Sequence, residues 1–146
     1  MDSLKELLNG RPAVIARARS GQLIPGYLEK GKLLTRGILK MTDARGEPVQ
    51  IDIHKLKGLF FVRDFTGNRD YLEEKTLVDD PPRPGVLVRL RFEDNEMLEG
   101  VTENSLELLV DPGFFFWPGD TQSNNQLIYV LKPALSGFSI LGVKHK

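Results

Sequence analysis

The residues of this 146-residue chain that can do chemistry are few, and their spacing disfavours catalysis. Glu93, Asp94, Glu96 and Glu99 crowd one stretch, and Asp79 adjoins Asp80. Paired carboxylates can perform acid and base catalysis or hold a hard cation, but these fall on turns or alternate strand positions and read as solvated faces. The histidines are His54 and His145, and neither has a serine or cysteine nucleophile nearby in sequence. With no cysteine in the chain, thiolate metal sites and disulfides are excluded, and two histidines are too few for a histidine-rich site. The glycines are scattered and form no phosphate-cradling loop. No catalytic residue, metal ligand set or cofactor is therefore assigned. What remains is binding chemistry. Arg17, Arg19, Arg89 and Arg91 alternate with apolar residues, and with exposed aromatics they could track a single nucleic-acid strand by phosphate contact and base stacking. Phe115 and Trp117, rimmed by Asp120, Asn124 and Asn125, could instead offer an aromatic surface to a peptide or another protein.

The element carrying those aromatics runs Pro112-Gly113-Phe114-Phe115-Phe116-Trp117-Pro118-Gly119-Asp120. Four consecutive aromatics between Pro/Gly pairs predict a short strand with both faces apolar. One alternating pair must fill the strand's own core and the other must be covered by something else. Burying one such ring is worth roughly 1.5–3 kcal/mol, so leaving two in water is a large loss. Packing between two units of the chain, or between subunits, is the first expectation, and a functional surface is the other. The polar rim has a structural reading too, because Asp and Asn side chains cap tight turns.

Upstream, Ser3 with Glu6 forms a capping box, Leu4, Leu7 and Leu8 make one stripe, and Asn9-Gly10 supplies a stop, which predicts a short helix. It is too short to stand alone, so it plugs a barrel end, covers a sheet edge or docks on another subunit. From Ala13 the period changes to two. The stretch from Val14 through Tyr27 to Leu28 matches Val88 to Thr102 without gaps at an offset of 74, pairing Arg17 with Arg91 and Gly26 with Gly100. With small slips, Gly37 to Met41 lies against Gly113 to Trp117, and Leu56 to Val62 against Leu135 to Leu141. The chain reads as duplicated, each copy holding five short strands with a helical-turn step before the last.

Five strands in so short a segment avoid open edges most economically by closing into a small bent barrel, with Gly26 and Gly100 at the sharp bends. The predicted fold is mainly β: a short N-terminal helix over residues 1–10, one five-stranded barrel over 11–64, a connecting segment over 65–85 and a second barrel over 86–143. Gly67-Asn68 predicts a turn in the connection, Asp70 to Lys75 a helical turn, and Pro81-Pro82-Arg83-Pro84 a stiff spacer. Tyr71 and Leu72 predict that the segment lies along the barrels. The strand pattern resembles the Sm-like small barrels, without their nucleotide-binding motif.

Leu56 to Phe65 with Gly67, Asn68 and Tyr71, together with Gly113-Phe114-Phe115 through Ser123-Asn124-Asn125, resembles an uncharacterised bacterial two-repeat domain of unknown function with FFVRDF-x-GN and GFF-x-x-P-x-D-x-x-SNN signatures. The resemblance covers about residues 11 to 143 and implies a bacterial origin and this fold; it implies no activity. Net charge is zero, but residues 1–64 carry 12 basic against 7 acidic side chains and residues 86–146 carry 5 against 8. Opposite signs favour docking of the halves or self-association. With no apolar run of 18 residues and a charged N-terminus, a cytoplasmic, non-membrane protein is expected. The functional expectation is a non-enzymatic binding or scaffold module for protein partners or self-association; the alternative is single-stranded nucleic-acid binding.

Overall fold

Alternating apolar residues turn most of the chain into strands, and the computed structural model describes residues 3–29, 34–67, 72–77, 81 and 83–145. A short helix, α1 (Ser3–Asn9), is followed by β1 (Ala13–Ala18), β2 (Leu23–Leu28), β3 (Leu34–Thr35), β4 (Ile38–Asp43), β5 (Pro48–Asp52) and β6 (Leu56–Val62). The second half holds β7 (Gly85–Phe92), β8 (Met97–Thr102), the helical turn α2 (Glu107–Val110), β9 (Gly113–Pro118), β10 (Asn125–Leu131) and β11 (Leu135–Lys144). One-turn 3-10 helices, Ile53–Lys55 and Lys132–Ala134, precede β6 and β11. The first is capped by Asp52, whose carboxylate accepts from the His54 backbone N–H at 2.9 Å.

Two closed barrels do not form. Among the described residues, eleven antiparallel strands make one open sheet, ordered β11-β7-β8-β9-β10-β6-β1-β2-β4, with β3 and β5 both pairing β4. Ile38 of β4 pairs with Thr35 on one edge and Asp52 on the other, so β5 is an outer edge and β11 is the opposite one. The reason lies in β6 and β10. Neither half closes on itself, because β10 pairs with β6 of the other half and satisfies both backbones there.

This joint requires strands apolar on both faces. Leu59 and Phe61 of β6 enter a first core with Val14, Leu39 and Met41, while Phe60 and Val62 enter a second with Val88, Leu90 and Phe116. Conversely Leu127, Tyr129 and Leu131 of β10 fill the first core, and Ile128 and Val130 the second. Each half thus lends a strand to the other's interior. The α1 leucines Leu4, Leu7 and Leu8 pack on the first core, so the helix docks within its own chain.

Registers within the halves coincide. Val14, Ala16 and Arg17 of β1 face Phe61, Leu59 and Gly58, with a bulge after Arg17. Val88, Leu90 and Arg91 of β7 face Ile140, Phe138 and Gly137, with a bulge beyond Gly137. The alignment of β4 with β9 needs a one-residue correction. Gly26 pairs with Asp43 and Gly100 with Pro118, so Leu39 and Met41 correspond to Phe114 and Phe116, and Lys40 and Thr42 to Phe115 and Trp117. A one-residue slip exchanges the faces of a strand, and the alignment in sequence had made it.

Gly26 and Gly100 are sites of close approach. A Cβ on Gly100 would strike the Trp117 carbonyl and come within 2.6 Å of the Phe116 ring; one on Gly26 would strike the Thr42 carbonyl. Asn95 takes φ 73°, the positive value expected of the Asp94-Asn95 turn. Residues 74–77 lie along the second half, as expected of the connection: Glu99 N–H donates to the Lys75 carbonyl at 2.8 Å, and Leu77 N–H to the Glu99 carboxylate at 3.0 Å. Residues 72–75 are not helical, and Asn68, Asp70, Tyr71, Asp79, Asp80 and Pro82, with the Ser3 side chain, lie outside the described residues.

Candidate functional site

The aromatic strand β9 divides its side chains as alternation requires. Phe114 and Phe116 are buried in the second core. Phe115 and Trp117 are half-buried on the opposite face and pack on the first core. Phe115 sits edge-on to Tyr129, with ring centroids 4.9 Å apart, and 6.3 Å from Phe61. Its carbonyl accepts from the buried Thr102 hydroxyl at 2.8 Å. Over Trp117 lies the Arg83 guanidinium, 3.9 Å from the ring centroid. The second aromatic face is therefore covered within the chain, by the first core, to which both halves contribute, and by Arg83 of the connecting segment. Burial pushes the Tyr129 phenol up to about 12, with the Asp111 charge adding to the shift.

Trp117 is the single tryptophan, which makes its cover measurable. Arg83→Ala is expected to cost about 0.5–1 kcal/mol in denaturant melts and to shift tryptophan emission to the red, because the ring loses its cation–π partner and gains water. An unchanged emission maximum would mean that the stack contributes nothing in solution.

The polar rim works as turn scaffolding. Asp120 accepts from the backbone N–H groups of Glu74 at 2.8 Å and Gln122 at 2.9 Å. Asn124 grips the Asp64 backbone from both sides, accepting from its N–H at 3.1 Å and donating to its carbonyl at 2.9 Å. Asn125 donates to Glu73 at 3.4 Å, and the Ser123 hydroxyl donates to the same carboxylate. Arg63 donates to the Ser123 carbonyl at 3.1 Å and the Thr121 carbonyl at 2.9 Å. Arg63-Asp64 thus meets Thr121 to Asn124, and the two sequence motifs hold each other. A cleft of about 540 Å³ opens beside them, lined in part by Arg17, Phe65, Glu73, Asn124 and Asn125.

Each of the four arginines has a partner within the chain. Arg19 is paired to Glu93 at 2.6 Å and Arg89 to Glu99 at 2.8 Å. Arg17 stacks over Phe60 at 3.9 Å, and Arg91 donates to the Met97 sulfur at 3.2 Å. Sequence reasoning missed the lysine that matters most at the joint. Lys57 of β6 is only 8% exposed and donates to Asp94 at 2.7 Å and Glu96 at 2.5 Å, both in the β7–β8 turn. Lys75 adds a second cation at 2.9 Å from Glu96. Burial pushes the Glu96 carboxyl up, but hydrogen bonds from Lys57 and Lys75 outweigh it, so its pKa is lowered; the Lys57 hydrogen bond lowers that of Asp94. A lysine inside the apolar run Leu56 to Val62 was the available signal.

The two outer edges differ. On β5 the outward residues Pro48, Gln50 and Asp52 are exposed, and proline and charge are the devices that keep an edge strand unpaired. On β11 no such device occurs from Leu135 to Val143, a stretch without charge or proline. There Phe138 is 39%, Ile140 66%, Leu141 42% and Val143 53% exposed. The strand in the same register of the first half, β6, is buried along its whole length.

Among the described residues no group of three or more His, Asp or Glu side chains could hold a metal, and no helix is long and apolar enough to cross a membrane. Residues 10–142 match a family model described as "Family of unknown function (DUF6982)". No curated protein and no solved structure matches the chain.

Proposed function

We propose that this chain, which belongs to the DUF6982 family of unknown function, is a non-enzymatic binding module that holds protein by adding a strand to the edge of β11. The observation that carries the reading is the exposed, charge-free edge from Leu135 to Val143. An exposed sheet edge offers a row of unpaired N–H and C=O groups, and an extended peptide laid along it gains main-chain hydrogen bonds plus pockets for alternate side chains. The β6–β10 joint supports it as an internal instance of the same pairing. We read residues 11–64 and 86–143 as copies of one unit, an inference supported by the coincident registers of β1–β6 and β7–β11. On that reading β6 has its partner and β11 awaits one. Nucleic acid is the weaker ligand, since Arg19 and Arg89 are already neutralised by glutamates.

The test is a displayed library of extended peptides selected on the wild-type chain at low protein concentration, where self-association does not compete for the edge, and counter-screened on Ile140→Lys. Peptides with alternating apolar residues are expected to bind the wild type and to lose at least tenfold in affinity on the variant. Selected peptides that bind both equally would place recognition elsewhere and overturn the reading.

A further inference from the structure

The two edges of the sheet allow the occupant of β11 to be narrowed, given the reading of β11 as a binding edge. The first candidate is β5 of another copy, because β5 stands to its half as β10 does to its own. Its chemistry is wrong. Where β10 turns Leu127, Tyr129 and Leu131 into the neighbouring core, the same register positions of β5 are Pro48, Gln50 and Asp52, all exposed. On β11 the position of the buried Phe60 is held by Ser139, and that of Lys57 by Ser136. Burying Asp52 and Gln50 over Phe138 and Ile140 would take a charged carboxylate and an amide out of water against apolar side chains, which is costly. Head-to-tail growth from β5 onto β11 is therefore disfavoured on both sides of the contact.

The strand that does match β11 is β11 itself. Phe138, Ile140 and Val143 face Leu90, Val88 and Val86 across the β7 ladder, so all three lie on the face that carries the second core. Phe138 already leans edge-on against Phe114, with centroids 5.8 Å apart. A two-fold axis perpendicular to the sheet would run two β11 strands antiparallel, keep that face common to both, and set one apolar row beside the other. No charged side chain lies between Leu135 and Val143 to oppose its own image. Such an isologous contact consumes the edge and closes the assembly at two. We propose that the partner of β11 is a second copy of this chain, paired β11 to β11 in an antiparallel two-fold dimer whose sheet is continuous across both chains.

Sedimentation equilibrium on the full chain from 1 to 100 µM tests this. The expected mass is twice 16.5 kDa at the upper concentrations, with no larger species. Ile140→Lys, at a side chain 66% exposed, is expected to give a monomer with an unchanged thermal melt at low concentration, and Gln50→Lys on β5 to leave the dimer intact. If Ile140→Lys lowers the melt, Ser139→Lys, whose side chain is turned from the second core, replaces it as the breaking variant. Wild-type monomer at 100 µM, growth beyond two chains, or dissociation by Gln50→Lys overturns the proposal. A wild-type monomer that still binds extended peptides through β11 leaves the edge reading standing and removes only the second copy; one that binds none removes both.

Discussion

Lys57→Ala is expected to destabilise the fold by about 3 kcal/mol, at the lower end of what breaking a buried pair costs, because Asp94 is half-exposed and water shares the loss. The damage comes less from the missing attraction than from what stays behind. Glu96, with a side chain only 19% exposed, keeps Lys75 but loses its nearest cation, and the Phe92 ring loses an ammonium 4.6 Å above it. Neutralising the whole cluster should be far milder than removing one member. Lys57→Met with Asp94→Asn and Glu96→Gln is expected to recover most of the loss in urea melts. No recovery would mean that the lysine acts by packing rather than by charge. The same cluster predicts the acid limb of stability. Asp94 and Glu96 have folded pKa values below their ordinary 3.8 and 4.5, so the unfolded chain takes up protons first. Their contribution is complete above the ordinary carboxylate range and is lost as pH falls through the lowered folded values. Lys57→Ala should flatten that limb, which urea midpoints measured from pH 6 down to pH 3 would reveal.

Gly100→Ala is expected to cost about 3 kcal/mol or more, at or beyond the upper end of ordinary overpacking. The added methyl would collide with the Trp117 carbonyl and sit 2.6 and 2.9 Å from atoms of the Phe116 ring. A carbonyl in a ladder cannot retreat as a flexible side chain can, and Phe116 is fully buried. Relief must come from moving β9 off β8, which disturbs both cores, since β9 and β10 are paired and β10 serves each core. One cooperative transition, lowered as a whole, is therefore expected when tryptophan emission and circular dichroism are followed together. Two separated transitions would show that the cores unfold independently.

Much of the fold was legible in residue order. The two 3-10 steps, the positive φ at Asn95, the double-faced demand of Phe114 to Trp117 and every strand but the two-residue β3 follow from local chemistry. What local chemistry cannot state is which strand satisfies which edge. The run Leu56 to Val62 is apolar throughout, and that is equally the pattern of a strand inside a barrel and of one shared by two cores. Only the pairing of β6 with β10 distinguishes them, and it joins residues more than 60 apart. The same holds for the polar residues. Asp120, Asn124 and Asn125 looked suited to a ligand because their backbone partners, at Asp64 and Glu74, and the Glu73 carboxylate come from a remote segment. The contrast between the protected edge β5 and the bare edge β11 was present in composition, but it acquires meaning once both are known to be edges.

The exchange of β6 and β10 between the halves also sets an order of events on the ribosome. β6 is complete when residue 62 has emerged, while the strand that covers it ends at residue 131. At roughly 5–20 residues per second, synthesis of the intervening chain takes on the order of 3 to 14 seconds. Throughout that interval Phe60 and Val62 have no second core to enter, and the nascent first half carries an unpaired apolar edge. Slow decoding or pausing within residues 63–131 would prolong that exposure, so the yield of soluble protein is tied to the speed with which its second half is made.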